Sequence, residues 1–339
     1  MYRKIMGFLE AWKDSVHRKP LILQGARQVG KTYSILEFGR THYENVAYFN
    51  FETNPKLNET FEENISPDYL IPILSHIAGQ TIVTEKTLIV FDEVQLCERA
   101  LTSLKYFCEN APDYHIIVAG SLLGVAVNRA KFSFPVGKVD MKTLYPMDME
   151  EFMLALGEDD LVEQIKKCFQ TDTPLPSALH DAAMQLYRQY LVVGGMPECV
   201  MQFAETKDYI LVRHTQDTIL ASYLNDMSKY NNLNEIKKTR LAYDNITVQL
   251  SKKNTRFQYK LMKKGGRASE FENAIEWLCL SGIVSQVYKV EQIKKPLENY
   301  RDIDAFKIYV SDLGLLCAKK DLAANDILYM VEEINDFKG

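Results

Sequence analysis

The stretch RKPLILQGARQVGKTYSILEFG, residues 18–39, decides the fold. Leu21 to Gln24 make a short apolar run bounded by Pro20 and Gly25, the pattern of a parallel strand buried on both faces. It leads directly into Gly25-Ala26-Arg27-Gln28-Val29-Gly30-Lys31-Thr32, the spacing GxxxxGK[ST] of a phosphate-binding loop, and then into a predicted helix over 31–38. Each residue type has a reason to be where it is. Gly25 and Gly30 let the backbone wrap an anion with its N–H groups turned inward. The helix offers its positive N-terminal end to the same anion. Lys31 reaches β- and γ-phosphates, and the Thr32 hydroxyl ligates Mg²⁺. The candidate nucleotide contacts are therefore Gly25, Ala26, Arg27, Gln28, Val29, Gly30, Lys31, Thr32 and the adjacent Tyr33.

Two further strands extend this unit downstream. In TLIVFDEVQ, residues 87–95, four apolar residues end in Asp92-Glu93. Two acids at the tip of a buried strand are costly unless something answers their charge. Facing a phosphate-binding loop, Asp92 would hold Mg²⁺ as a Walker B aspartate, and Glu93 would orient and deprotonate a water. The alternative is an acidic pair opening an exposed loop. HIIVAGSLLG, residues 115–124, is another buried strand, and it ends at Ser121. AAA-type ATPases place a γ-phosphate sensor at such a tip; the alternative is an ordinary turn residue. A strand over 45–52, a helix over 67–78 begun by Ser66 and Pro67, and a strand over 141–146 complete the sheet. Asp148-x-x-Glu151 then opens a helix through Ala155 with an acidic capping box.

Strand signals thin out after about residue 151. Residues 159–191 have a helical pattern broken by TDTPLPS at 171–177. In YLVVGGMPECV, residues 190–200, Gly194-Gly195 ends one helix and Pro197 opens the next. Pro197 is either part of a plain helix–helix turn or a Gly-x-Pro element packing on the nucleotide. Residues 237–312 suggest a winged helix, with helices 237–250, 257–263 and 269–281 and strands near 284–290 and 306–311. Ser269-x-x-Glu272 suggests a capping box. Behind it Phe271, Ala274, Ile275 and Leu278 form one apolar face. The expected fold is thus α/β: a P-loop NTPase (AAA-type) parallel sheet core, then a mostly helical lid and a winged-helix domain. The expected boundaries are 1–157 for the ATPase domain, 158–231 for the lid, 232–317 for the winged helix and 318–339 for an acidic tail or linker.

Composition bounds the function. A chain of 339 residues makes about two domains, and 47% apolar with 25% charged residues excludes a disordered chain. MYRKIMGFLEAWKD at the start is too charged for a secretory signal, and no apolar run approaches the ~20 residues that span a bilayer. Six scattered cysteines without a CxxC pair suggest neither a zinc ribbon nor a disulfide framework, and point to a reducing cytoplasm. The net charge of −5 is uneven. Residues 229–267 carry eleven basic residues and two acids, which is +9 against −14 elsewhere. That segment could hold DNA through its phosphates without reading sequence; the alternative is a solvated helical face. Glu270, Glu272 and Glu276 on the third helix would repel DNA there.

Together LILQGARQVGKTYSILEFG, TLIVFDEVQ, GSLLGVAV, SFPVGKVDMKTLYPMDMEEF, YLVVGGMPECV, ILASYLNDMSKY, GGRASEFENAIEWLCLSGIV and FKIYVSDLGLL resemble the AAA-type ATPases of bacteria and archaea that carry a C-terminal domain of unknown function. The resemblance implies a nucleotide-binding core, a helical lid and a winged helix, with ATP and Mg²⁺ as cofactors. Lys31, Thr32, Asp92, Glu93 and Ser121 fall on that family's positions. Many relatives carry Gly-Arg where this chain has Gly137-Lys138, so the expected arginine finger is missing there, and Arg129 is a weak substitute. Relatives usually continue into a nuclease-like domain, of which these 339 residues stop short. The leading expectation is a slow or partner-stimulated Mg-ATPase acting as a conformational switch. The alternative is an ATP-binding nucleic-acid or protein interaction module with little hydrolysis. A small-molecule kinase is weaker, since no acceptor motif is found. AAA cores often draw an arginine from a neighbour, so a homo-oligomer or protein partner is expected, and no membrane.

Overall fold

The computed structural model describes residues 1–121, 134–229, 233–251 and 256–329. They divide into two compact units, residues 2–145 and residues 146 onward, the latter with Met1.

The first unit is a five-stranded parallel sheet flanked by helices. Its strands are β1 (Leu21–Gln24), β2 (Asn45–Asn50), β3 (Thr87–Asp92), β4 (His115–Gly120) and β5 (Asp140–Thr143). The spatial order is β2-β3-β4-β1-β5. Every residue of β3 and β4 is buried, as expected of central parallel strands covered on both faces. Gln24 pairs with Gly120 and Thr143, while Asn50 pairs with Asp92. The C-terminal ends of the strands therefore lie along one edge of the sheet, where open α/β sheets bind ligands. Helix α1 (Ile5–Lys13) precedes β1, and α2 (Lys31–His42) follows the loop after it. Phe91 anchors the strand that carries Asp92, its ring 5.9 Å from Phe49, 5.9 Å from Phe51 and 5.5 Å from Phe61. The predicted helix over 67–78 is present, begun by Pro67, although the Ser66 side chain makes no capping bond.

The second unit is mostly helical, with one antiparallel strand pair, Val284–Val290 and Arg301–Val310. The helix Met149–Ala155 falls in the compact unit that begins at Pro146. Its capping box is formed as expected, with Asp148 Oδ1 accepting from Glu151 N at 2.9 Å and Glu151 Oε2 from Asp148 N at 3.2 Å. Helices Ser177–Val193 and Pro197–Thr206 flank the Gly194-Gly195 turn. Asp312 clasps that turn from 117 residues away: Gly195 N donates to its Oδ2 at 2.6 Å and Leu315 N to its Oδ1 at 2.8 Å. The fit is tight. A Cβ on Gly195 would stand 1.9 Å from the carbonyl oxygen of Met147.

Three expectations for this unit need correction. Residues 257–263 form only a short 3-10 turn at Tyr259–Leu261, because Phe257 stacks on Phe306 at 5.6 Å and its N–H bonds the Phe306 carbonyl at 2.7 Å. The helix after it runs Ala268–Leu280 with Arg267 at the N-cap, so Ser269 lies inside the helix and forms no capping box. The helix expected over 237–250 begins earlier, at Leu233. The chain beyond the strand pair forms helices Leu313–Lys319 and Ala324–Leu328, and the acidic end, 330–339, lies outside the described residues.

Candidate functional site

Between β1 and α2 the backbone bends as the glycine spacing demands. Gly25 has φ +150°, Gln28 +66° and Gly30 +88°. A Cβ on Gly25 would fall 2.2 Å from the Leu144 carbonyl oxygen, so only glycine fits beside β5. Inside the loop Lys31 is 7% exposed, and its ammonium donates to the carbonyls of Gly25 at 2.9 Å and Ala26 at 2.8 Å. Burial pushes its pKa down to about 8, with Glu93 and then Asp92 opposing the fall and Arg27 adding to it. A desolvated ammonium held by neutral carbonyls is suited to accept an anion.

Asp92 ends β3 and is 4% exposed. Its Oδ2 accepts from Thr32 Oγ1 at 2.7 Å, which joins the strand tip to the start of α2. Its Oδ1 accepts from Glu93 N at 2.9 Å. A hydroxyl and a carboxylate in contact are hard oxygen donors of the kind Mg²⁺ accepts, the rest of its shell being water and phosphate. The residues present fit that ion. Glu93 adopts a left-handed backbone, φ +52°, which is held strain of the sort found at working sites. Its Oε2 accepts from the Gln95 amide. Burial raises the Glu93 carboxyl; the Gln95 bond lowers it, Asp92 raises it, and Lys31 and Arg27 lower it. A carboxylate raised in this way is a better base. Ser121 is buried at the tip of β4, one residue beyond Gly120.

The structure thus brings Lys31, Thr32, Asp92 and Glu93 together at one edge of the sheet, with Ala26, Arg27, Gln28, Val29 and Gly30 forming the loop and the exposed Tyr33 following it. Pro197 belongs to the second unit, where it is the first residue of its helix. Lys138 is engaged in an ion pair with Glu109 at 3.0 Å, and Arg129 lies outside the described residues. Of the basic window, Lys238 pairs with Glu235 at 2.9 Å and Lys263 with Glu270 at 2.8 Å. Lys252 and Lys253 also fall outside the described residues.

Two contributors were not visible in the sequence. Arg3, 4% exposed ahead of α1, donates through Nη1 to the Val29 carbonyl at 3.0 Å and through Nη2 to the Tyr145 carbonyl at 2.8 Å. It fastens the phosphate-binding loop to the end of the sheet. Tyr48 on β2 donates its hydroxyl to Asp92 Oδ2 at 2.8 Å. Neither has a spacing signal. Tyr48 alternates with buried Ala47 and Phe49, which marks the other face of β2 but not its partner.

Comparison with known proteins agrees with this architecture. Residues 17–153 match the family model described as an AAA domain, and residues 184–326 match one described as a domain of unknown function (DUF8612). The chain joins an AAA domain to a domain of unknown function. No curated protein sequence matches it. Among solved structures, a Walker-type ATPase of Pyrococcus abyssi is 13% identical, with 94% of this chain and 95% of that one covered and a TM-score of 0.58. The ORC2 protein of Aeropyrum pernix, in ADPNP–ADP complexes, is 12% identical over 98% of this chain and 94% of its own, with a TM-score of 0.45. The RuvB Holliday junction branch migration motor of Thermotoga maritima is 13% identical over 91% and 90%, with a TM-score of 0.35. At these identities the likeness concerns fold, and the Pyrococcus ATPase carries it. Among the described residues of this AAA protein, no helix is long and apolar enough to cross a membrane.

Proposed function

We propose that this AAA protein binds Mg-ATP, hydrolyses it slowly and uses the cycle to switch conformation. The observation that carries the reading is the buried Lys31 ammonium in a glycine-bent loop, beside the Thr32–Asp92 hydrogen bond, with the raised Glu93 carboxyl one residue on. Lys31 would exchange its two carbonyl partners for phosphate oxygens, a gain because a buried cation prefers an anion. Thr32 and Asp92 would hold the Mg²⁺, which neutralises charge on the phosphates when bound. Glu93 would orient the attacking water and take its proton. Ser121 would bond the γ-phosphate, and Tyr33 and Pro197 would meet the base or ribose. In-line attack on phosphorus needs this positioning and charge more than covalent help.

The lid over 158–231 and the winged helix over 232–317 would carry the mechanical output. The strand pair behind helix Ala268–Leu280 supports the second of these, although the middle helix is reduced to a 3-10 turn. DNA held by the 229–267 segment is a weaker reading, because Lys238 and Lys263 already answer acids of their own unit. A homo-oligomer or a protein partner would supply the missing arginine, and the site would act in the cytoplasm.

One pair of measurements tests the proposal. Lys31→Ala should lose at least tenfold in affinity for a fluorescent ATP analogue. Glu93→Gln should bind normally but release phosphate ~10²–10⁴-fold more slowly, the usual contribution of a positioned base. Undiminished nucleotide binding by Lys31→Ala would remove the proposal. Equal turnover by wild type and Glu93→Gln would mean that Glu93 is not the base, and binding with barely any turnover by the wild type would favour the alternative, an ATP-binding interaction module with little hydrolysis.

A further inference from the structure

We propose that Tyr48 is a positioning residue that orients the Asp92 carboxylate toward a divalent cation, an inference that rests on the nucleotide-site reading above. An ionised carboxylate offers about four lone-pair sites. Three are taken in this protein. Thr32 Oγ1 and the Tyr48 hydroxyl both donate to Oδ2, at 2.7 and 2.8 Å, and Glu93 N donates to Oδ1 at 2.9 Å. The donors come from α2, from β2 and from the residue after β3. They fix the plane of the carboxylate and leave about one acceptor site, on Oδ1, for a water of a hydrated cation.

The hydroxyl of Tyr48 is itself aimed. Asn50 Nδ2 donates to the Tyr48 oxygen at 3.2 Å, so the phenol proton is left to point at Asp92. Asn50 is held in turn, because its Oδ1 accepts from Glu52 N at 2.9 Å and Thr53 N at 3.0 Å. A backbone turn at the end of β2 thus sets Asn50, Asn50 sets Tyr48, and Tyr48 sets Asp92. The parallel register that opposes Asn50 to Asp92 makes the chain of bonds possible. Tyr48 is 38% exposed, so its hydroxyl can be removed with little effect on the core. Hydrogen bonds to a metal-holding carboxylate typically govern metal affinity by about 10–100-fold.

The test is Tyr48→Phe in the full chain, with binding of a fluorescent ADP analogue followed across a Mg²⁺ titration. The expected result is a half-saturating Mg²⁺ concentration raised about tenfold, with nucleotide affinity in EDTA unchanged within about twofold. The EDTA measurement serves as the folding control. Identical Mg²⁺ dependence in wild type and variant would overturn the inference while leaving the nucleotide reading intact. Tighter Mg²⁺ binding by the variant would also overturn it, making Tyr48 a competitor of the ion. Loss of binding in EDTA as well would overturn it in favour of a general structural role. A wild type that binds no nucleotide under either condition would remove the parent reading and this inference together.

Discussion

Arg3 offers the sharpest test of how the phosphate-binding loop is held. Its guanidinium spans two carbonyls, Val29 in the loop and Tyr145 beyond β5. Arg3→Met keeps the apolar stem and removes both bonds. A hydrogen bond to a charged group contributes about 1.5–3 kcal/mol. The Val29 bond is buried and its carbonyl would be left unpaired, whereas the Tyr145 bond is part-exposed and water can replace some of it. The expected loss is therefore about 3 kcal/mol for the first unit. For a body of about 150 residues that corresponds to roughly 10 °C in Tm. The two tryptophans make the measurement specific, since Trp12 lies in the first unit and Trp277 in the second. In a Trp277→Phe background, Trp12 fluorescence follows the first unit alone. Arg3→Lys should fall between wild type and Arg3→Met, because one ammonium cannot reproduce a fork that reaches two sites. Arg3→Met within 2 °C of wild type, or Arg3→Lys equal to wild type, would refute this account.

Further outcomes follow from buried groups elsewhere. His115 is buried with Tyr43 OH 2.7 Å from its Nδ1, and its Nε2 has no partner. Burial, with Arg18 and Lys13 adding, pushes its pKa down to about 4 from the ordinary 6.5. Between those values the unfolded chain binds a proton that the folded chain does not, so stability falls as pH drops through the window, by up to about 3 kcal/mol. Urea unfolding read from Trp12 at pH 7 and pH 4.5 should show the loss, and His115→Phe should flatten it. In the second unit, Gly195→Ala would drive a Cβ onto the Met147 carbonyl and should cost about 3 kcal/mol or more. Gly265→Ala, at φ +76° with open space around it, should cost only about 1–2 kcal/mol. Calorimetry on the two variants compares them directly, and equal losses would contradict the steric argument.

The core of the sheet and the loop around Lys31 were legible because their causes are local. A strand buried on both faces carries apolar residues at successive positions, so LIVF at 88–91 and IIVAG at 116–120 stand out as unbroken runs. Glycines at the required backbone angles mark the loop by spacing alone. What could not be read depends on partners distant in sequence. The helix expected at 257–263 is replaced by packing on Phe306, about fifty residues downstream. The helix expected to start at Ser269 starts one residue earlier, behind Gly265 in a left-handed bend and Gly266 close against the Tyr259 carbonyl. Arg3 and Tyr48 look like surface residues in isolation. Their roles come from strand register and from a loop end that meets them only in the folded chain.

The clasp of Asp312 on the Gly194-Gly195 turn bears on the order in which the chain acquires its structure. All five strands of the AAA sheet lie within residues 2–145, so that body can form while the rest is still being synthesised. The turn before Pro197 has no such freedom. Its N–H waits for a carboxylate that leaves the ribosome 117 residues later. Until then that N–H is left to water, and the turn lacks the bond that closes it. The expected order of folding is therefore staged: the N-terminal sheet unit can form first, while the Gly194-Gly195 turn of the second unit closes only once residue 312 is present.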